Sequence, residues 1–340
     1  MSTIGNTNLT LMDYARRADP DGKIQRISEM LNQVNEVLTD LVFVEGNTTT
    51  GHKTTMRTGL PTVAWRQINK GVQPSKSQTR QQLFSAGVME GLGKIDEELV
   101  NIAIDKAAFR LSENAPFIEA LSQTMATTLF YGDVNIYPDR FTGLAPYYST
   151  LATTTASYEN VIDGGAIAGQ TDVTSMWLVV WGETTIHAFF PRGTKAGIEH
   201  NDKGLQLVND DQTPAGQYYA WMDQYKQRMG LAVRDWRYAV RIANLDVSLL
   251  AQSGDTVDGS ANLIKMMIQA INKIPNIRMG KAAFYCNKEV KTALDIKAYS
   301  KSNVQLTIRE LQDGSLMTTF LGIPIRRCDA IINLESIVTA

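Results

Sequence analysis

Between Asn114 and Tyr131 the apolar residues Phe117, Leu121, Met125 and Leu129 recur every four positions, with Ile118 beside them. That spacing, with Ile118 one place beside it, is a single stripe along a helix, so the stretch predicts a rod about 27 Å long. Ser112 or Asn114 suits its cap, Pro116 its first turn, and Gly132 its end. The other face is polar through Glu119, Gln123, Thr127 and Thr128. A rod of that length spans a domain, and the rest of the chain has to be arranged along it.

The segments before it are divided by charge. From Gly46 to Met89 there are six cations, Lys53, Arg57, Arg66, Lys70, Lys76 and Arg80, and no Asp or Glu, so this arm carries +6. Thr62–Ile68 alternates as a strand, Asn69-Lys70-Gly71 is a turn signal, and Val72–Leu83 is expected to return antiparallel. Trp65 is the one large anchor of this hairpin. A two-stranded hairpin is marginal alone in water and needs another surface to lie on. The readings of such an arm are a nucleic-acid contact, a protein contact and a solvated loop. The adjoining segment decides for the protein contact: Glu90–Glu119 holds seven acidic and three basic residues, a net charge of −4. A basic arm next to an acidic base is complementary to itself: folding the arm onto its own base would explain this, and so would laying it on the base of the next identical subunit, a heterologous contact that propagates into rings or shells. The expected inter-subunit residues are Arg57, Trp65, Arg66, Lys70, Lys76 and Arg80 on the arm, and Glu97, Glu98 and Glu113 on the base.

At the N-terminus a polar tail precedes Asp19-Pro20-Asp21, which reads as a helix start, and Ile24, Ile27, Leu31, Val34, Leu38 and Leu41 continue as a helical stripe. Beyond the rod, Thr150–Thr174 is linker-like, and Gly164, Gly165 and Gly169 lack the strand-to-helix setting of a phosphate cradle. Strands are expected at Met176–Trp181, Thr184–Phe190, Tyr218–Tyr225, Tyr238–Ile242 and Ala282–Cys286. Helices are expected from the Ser260 cap through Leu263, Met266, Met267, Ala270, Ile271 and Ile274 to Pro275, and at Lys288–Lys297. Met317–Ile331 reads as a strand pair around Gly322-Ile323-Pro324. This alternation makes the second half an α/β domain.

No catalytic, cofactor or metal site emerges. Glu183 and His187 have a metal-like spacing on a helix, but their neighbours favour a strand, where residues four apart lie about 13 Å apart. Ser175, Ser248 and Ser253 lack a nucleophile setting, and Cys286 and Cys328 have neither C-x-x-C spacing nor a nearby His. Met266, Met267 and Met279 read as core filler. A net charge of −2 argues against a general nucleic-acid binder, and 44% hydrophobic with 20% charged residues suits a soluble globular chain. Without an apolar run near eighteen residues or a leader-like N-terminus, an intracellular product with no membrane partner is expected.

Three stretches carry a resemblance. The rod ends in F-Y-G-D (Phe130–Asp133) and is followed by F-T-G-L (Phe141–Leu144), GLAVRDWRYAVRIANLD runs from Gly230 to Asp246, and MTTFLGIPIRRCDAI contains G-I-P-I at Gly322–Ile325. In this order, after a basic hairpin, they resemble the major capsid proteins of tailed phages, with the shell fold called Hong Kong 97-type, nearest those of certain short-tailed phages. The likeness covers most of residues 40–335. It implies an α+β fold with an N-terminal arm (1–45), an extended hairpin loop (46–88), a spine-helix peripheral domain (89–165), an axial α/β domain (166–315) and C-terminal strands packed on them (316–340). It implies a structural protein and not an enzyme, without cofactors. Copies would self-assemble as pentamers and hexamers into an icosahedral head around double-stranded DNA, without sequence-specific contact. A portal, a scaffolding protein and a cement or decoration protein are the further partners implied. The place implied is the virion capsid, built in the host bacterial cytoplasm. Some relatives crosslink through a Lys and an Asn, and Lys53 or Lys70 lies in the corresponding arm, but no assisting acid is evident. An encapsulin-like cargo shell of the same fold is the alternative.

Overall fold

A computed structural model describes residues 9, 32–153, 155–167, 169–209, 216–250, 263–299, 306–310 and 316–339. In chain order the elements begin with helix α1 (Val37–Asp40), β1 (Phe43–Glu45), β2 (Gly51–Gly59), β3 (Gln78–Ser85), β4 (Gly87–Asp96), α2 (Glu97–Ile102) and α3 (Lys106–Tyr131). They continue with β5 (Val161–Asp163), β6 (Val173–Trp181), β7 (Ile186–Phe190), β8 (Ile198–Asn209), β9 (Gln217–Val233), β10 (Ala239–Asp246) and α4 (Val247–Leu250). The last are α5 (Leu263–Lys273), β11 (Lys281–Cys286), α6 (Lys288–Tyr299), β12 (Leu306–Glu310), β13 (Leu316–Phe320) and β14 (Ile323–Arg327). The described residues form two compact units, each discontinuous in sequence: one holds Val88–Met125 and Lys195–Arg228, and the other holds Val34–Gly87, Ala126–Thr194 and Met229–Ala340. The expected segments 89–165 and 166–315 were contiguous, whereas here the β8–β9 ladder joins the N-terminal part of the long helix.

The rod is one continuous helix, as expected, but it starts eight residues before Asn114. The reason is a cap at Asp105, whose Oδ1 accepts the N–H groups of Ala107 and Ala108 at 3.1 and 3.0 Å. Pro116 therefore sits in the helix interior, where it removes a backbone hydrogen bond, on the solvent side. Leu121, Met125 and Leu129 are buried as the stripe required, but Ile118 is 48% exposed.

In the first unit α2 is capped by Asp96, which accepts from Glu98 N at 2.9 Å, and Ile95, Leu99, Val100, Ala103 and Phe109 form a core joined by Trp221. The helix is tied to β9 by a polar cluster around Asp223, which is 1% exposed. Arg110 Nη2 donates to it at 3.1 Å and Asn114 Nδ2 at 3.0 Å, and His200 Nε2 lies 2.8 Å away. Burial pushes the Asp223 carboxyl up, but these partners outweigh it and hold it below the usual range.

In the second unit β6 is buried at all nine positions and lies between β10 and β11, both antiparallel to it. A strand covered on both faces needs a continuous apolar run, which VTSMWLVVW approximates. Beyond β11, β14 adds in parallel and β13 and β12 follow antiparallel. Leu321 (φ 49°) and Gly322 (φ 84°) make the β13–β14 turn, which needs left-handed backbone at both positions. The G-I-P-I signature thus marks a tight hairpin.

Several expectations change. The stripe through Val34, Leu38 and Leu41 is not one helix over its described part, because Asn35 bridges Cys328 and only Val37–Asp40 is helical. Its earlier residues, the tail and the Ser260 cap lie outside the described residues. Tyr218–Tyr225 lies within the longer β9, and the linker-like passage contains β5, parallel to β10. Met279 is 47% exposed and so not core, unlike the buried Met266 and Met267. Both cysteines are fully buried, and burial pushes the Cys328 thiol up to about 12 and Cys286 higher still, so neither is poised as a nucleophile.

Candidate inter-subunit surface

The arm is a hairpin, but its strands are not where alternation put them. β2 and β3 pair from Gly51↔Ser85 to Gly59↔Gln78, and Thr62–Ile68 is loop. Pairing follows the base, where backbone contact is closest. A Cβ on Gly51 would lie 2.2 Å from Phe84 O, and Gly46 N donates to Phe190 O at 2.7 Å. Around this base Phe84 and Thr54 are buried, and the His52 ring meets those of His187 and Phe189 at 5.3 and 5.4 Å.

Beyond the base the arm has no core. Leu60, Val63, Trp65 and Ile68 are 83%, 89%, 103% and 91% exposed, so Trp65 anchors nothing within its own chain. The loop nevertheless has internal ties. Lys70 N donates to Gln67 O at 3.1 Å, Arg66 Nε to Lys70 O at 2.9 Å, and Ser75 Oγ to Thr62 O at 2.8 Å. Asn69 takes the positive φ (68°) that the turn needs. Arg57, Arg66, Lys70, Lys76 and Arg80 are all exposed. Among the described residues no carboxylate lies within ion-pair distance of any of them.

On the acidic side, Glu97 and Glu98 share the first turn of α2, where negative charge also favours the helix N-terminus. Glu98 is exposed, Glu97 half-buried, and Glu113 half-buried on α3. Trp65 was singled out from the sequence, but as the anchor of a strand; that it stands in an exposed loop tip with Val63 and Ile68 was not legible, because Val63 and Trp65 alternate as in a strand.

The base of the arm carries a pH-sensitive contact. His187 is fully buried and neither ring nitrogen has a hydrogen-bond partner. Burial, with His52 and Arg234 nearby, pushes its pKa down to about 4, and the same two causes, burial and Arg234, lower His52. The folded state therefore holds fewer protons than the unfolded chain between about pH 6.5 and about 4. Stability is full above that window and falls as pH drops through it, by on the order of 3 kcal/mol for a shift of this size. Thermal unfolding of the subunit from pH 8 to 4 is expected to show this decline, and His187→Phe is expected to flatten it. An unchanged slope in the variant would assign the acid sensitivity elsewhere.

Among the described residues no helix is long and apolar enough to cross a membrane, and no cluster of three or more His, Cys, Asp or Glu is placed to hold a metal ion. His187 lies on β7, as the strand reading required.

The sequence and the fold match known proteins. A family model described as "Major capsid protein GP7" matches residues 19–339. A solved structure of bacteriophage Epsilon15 contains a chain 36% identical to this one, with 100% of each chain covered and a TM-score of 0.76. The capsid of bacteriophage JBD30 matches at 7% identity over 92% of each chain, with a TM-score of 0.48. The capsid of a native GTA particle matches at 10% identity over 65% of this chain and 94% of the other, with a TM-score of 0.43. No curated protein sequence matches. The α+β fold is thus of the Hong Kong 97 type. With a family match that spans nearly the whole sequence and a phage structure aligned from end to end, the chain belongs to the major capsid proteins of tailed phages.

Proposed function

We propose that this major capsid protein builds an icosahedral head from pentamers and hexamers, enclosing packaged double-stranded DNA without sequence-specific contact, and that the basic hairpin of one copy lies on the acidic base of the next. The observation that carries this reading is the arm itself. Residues 60–76 are exposed without interruption, and the arm carries +6 with no carboxylate of its own to balance it. In a repeated array it faces a surface of opposite sign. The unit containing most of α3 takes the peripheral role, and the β6-centred unit the axial role near a capsomer axis. Synthesis in the bacterial cytoplasm, a portal, a scaffolding protein and a cement protein complete the proposal. The encapsulin-like alternative is not favoured, since the matching family and the end-to-end structural relative are of phage origin. A capsid family is not an enzyme class.

Expressed protein, concentrated at low salt, is expected to elute at megadalton size and to show closed shells by negative-stain electron microscopy. A product that stays monomeric at every concentration, with or without a co-expressed scaffold, would overturn the reading.

A further inference from the structure

The arm is not the only acid-free basic stretch. From Leu263 to Lys281, in the β6-centred unit, there are four cations, Lys265, Lys273, Arg278 and Lys281, and no Asp or Glu. α5 buries Leu263, Met266, Met267 and Ala270, which leaves Lys265, Gln269, Asn272 and Lys273 on its exposed side. After Ile274 the backbone is fixed in a tight turn. Asn276 Oδ1 accepts from Arg278 N at 3.0 Å, and a Cβ on Gly280 would lie 2.2 Å from Trp181 O, so the turn is pinned to the end of β6. Met279 stands outside the core because it belongs to this turn. All four cations are exposed, and Lys273 Nζ donates to Glu159 O. Among the described residues no carboxylate lies within ion-pair distance of Lys273, Arg278 or Lys281.

We infer that Lys265, Lys273, Arg278 and Lys281 form a strip that contacts the phosphate backbone of duplex DNA. The inference rests on the reading of this chain as the shell around packaged DNA, and names the surface that meets it. A helix face that only meets water ordinarily mixes both signs of charge, and this one does not. Nor does it have the composition of a protein interface, which needs an apolar centre: its exposed large apolar residues are Ile268 and Met279, at 36% and 47%. Between the cations stand Gln269, Asn272 and Asn276, all exposed, whose amide groups can donate to phosphate oxygens. Lys265 and Lys273 are separated by about 12 Å along the helix, the axial length of about three to four phosphates of one strand. The overall charge of −2 does not oppose this, because the contact is local and the strip carries +4. Cations without base-reading geometry hold any sequence, as a packaged genome requires.

The test uses dilute full-length subunits and a short DNA duplex of mixed sequence. Binding at low salt is expected to weaken as salt rises, with a slope of log K against log salt of about −3.6 for four phosphate contacts. Arg278→Gln with Lys281→Gln should leave the subunit folded, since both residues are exposed, and bring the slope to about −1.8. A duplex of unrelated sequence should bind equally. In particles, a small amine-acetylating reagent is expected to label Lys273 and Lys281 at least fivefold more slowly in filled heads than in heads emptied of DNA. A slope unchanged in the double variant would place the DNA elsewhere on the chain and overturn the strip, as would the absence of binding at low salt. Equal labelling of filled and emptied heads would overturn it too, and lysines protected in both would assign the strip to a protein neighbour instead. The subunit titration needs no shell, so its failure is distinct from a failure to assemble.

Discussion

Replacing Arg57, Arg66 and Lys70 together by Glu is expected to leave a folded subunit that does not form shells at physiological salt. The change takes the arm from +6 to neutral, because three cations remain against three new anions. Folding is spared because all three residues are exposed and none is ion-paired within the described chain. Surface changes of that kind usually stay within about 0.5 kcal/mol. Assembly is not spared. One rim ion pair contributes on the order of 0.2–1 kcal/mol, but three are reversed at every subunit, and attraction becomes repulsion wherever a Glu faces the acidic base. Because exposed charges are screened beyond about 8 Å at physiological ionic strength, the wild type should also assemble more slowly as salt rises. Lys at Glu97, Glu98 and Glu113 should restore part of the loss. At Glu97 and Glu98 the gain is partly offset, since cations in the first turn of α2 also oppose its helix dipole. Light scattering and electron microscopy of the variants read the outcome. Normal assembly of the triple reversal at low salt would show that the arm is not steered by charge and leave the Trp65 contact to explain it.

What the sequence disclosed depended on whether a segment's own residues or its neighbours decide its structure. The F-Y-G-D and F-T-G-L signatures were legible because each has a local cause. Gly132 ends α3, and a Cβ there would lie 2.4 Å from Phe141 O and 2.6 Å from Thr128 O. Gly143 packs as closely on Thr128 and Leu129, and Leu144 N donates to Leu129 O at 2.9 Å, so the loop is folded back on the helix end by backbone contact. The apolar run of β6 and the buried face of α5 were legible for the same reason. β8 was not: IEHNDKGLQLVN has little alternation and is half-buried at best, and it is a strand because β9 pairs with it from Ile198↔Gln227 to Asn209↔Gln217. In the candidate surface, residue types supplied the expected charged contacts and Trp65, while the exposure of Val63, Trp65 and Ile68 needed coordinates. A strand pattern with nothing behind it reads the same in sequence as one with a core.

The C-terminal segment supplies the largest expected loss of stability. Arg241 on β10 and Glu335 are both buried, with Nη2 and Oε2 2.9 Å apart. Around them Arg241 Nε donates to Ser175 Oγ at 3.0 Å and Nη1 to Tyr148 O at 3.0 Å, while the Ser175 and Tyr131 hydroxyls both donate to Glu335. Burial, with Glu335 alongside, pushes the Tyr131 phenol far above its ordinary range, so it stays a donor. The cluster joins the end of the long helix, β6, β10 and the chain's final residues, and Asn244 holds the same segment through two hydrogen bonds to Val338, at 2.9 and 2.8 Å. Glu335→Leu strips the carboxylate from a guanidinium that cannot lose its proton and leaves two hydroxyls without their acceptor. Breaking one side of a buried pair costs about 3–5 kcal/mol, a fall in Tm on the order of 10 °C. Removing both charges is a different experiment. Arg241→Met with Glu335→Leu leaves no orphaned charge, so it should recover much of the loss. A denaturant series on the two single variants and the double variant measures the coupling between them. If Glu335→Leu loses less than about 1 kcal/mol, the Asn244–Val338 bonds and apolar packing hold the segment, and the carboxylate is a passenger.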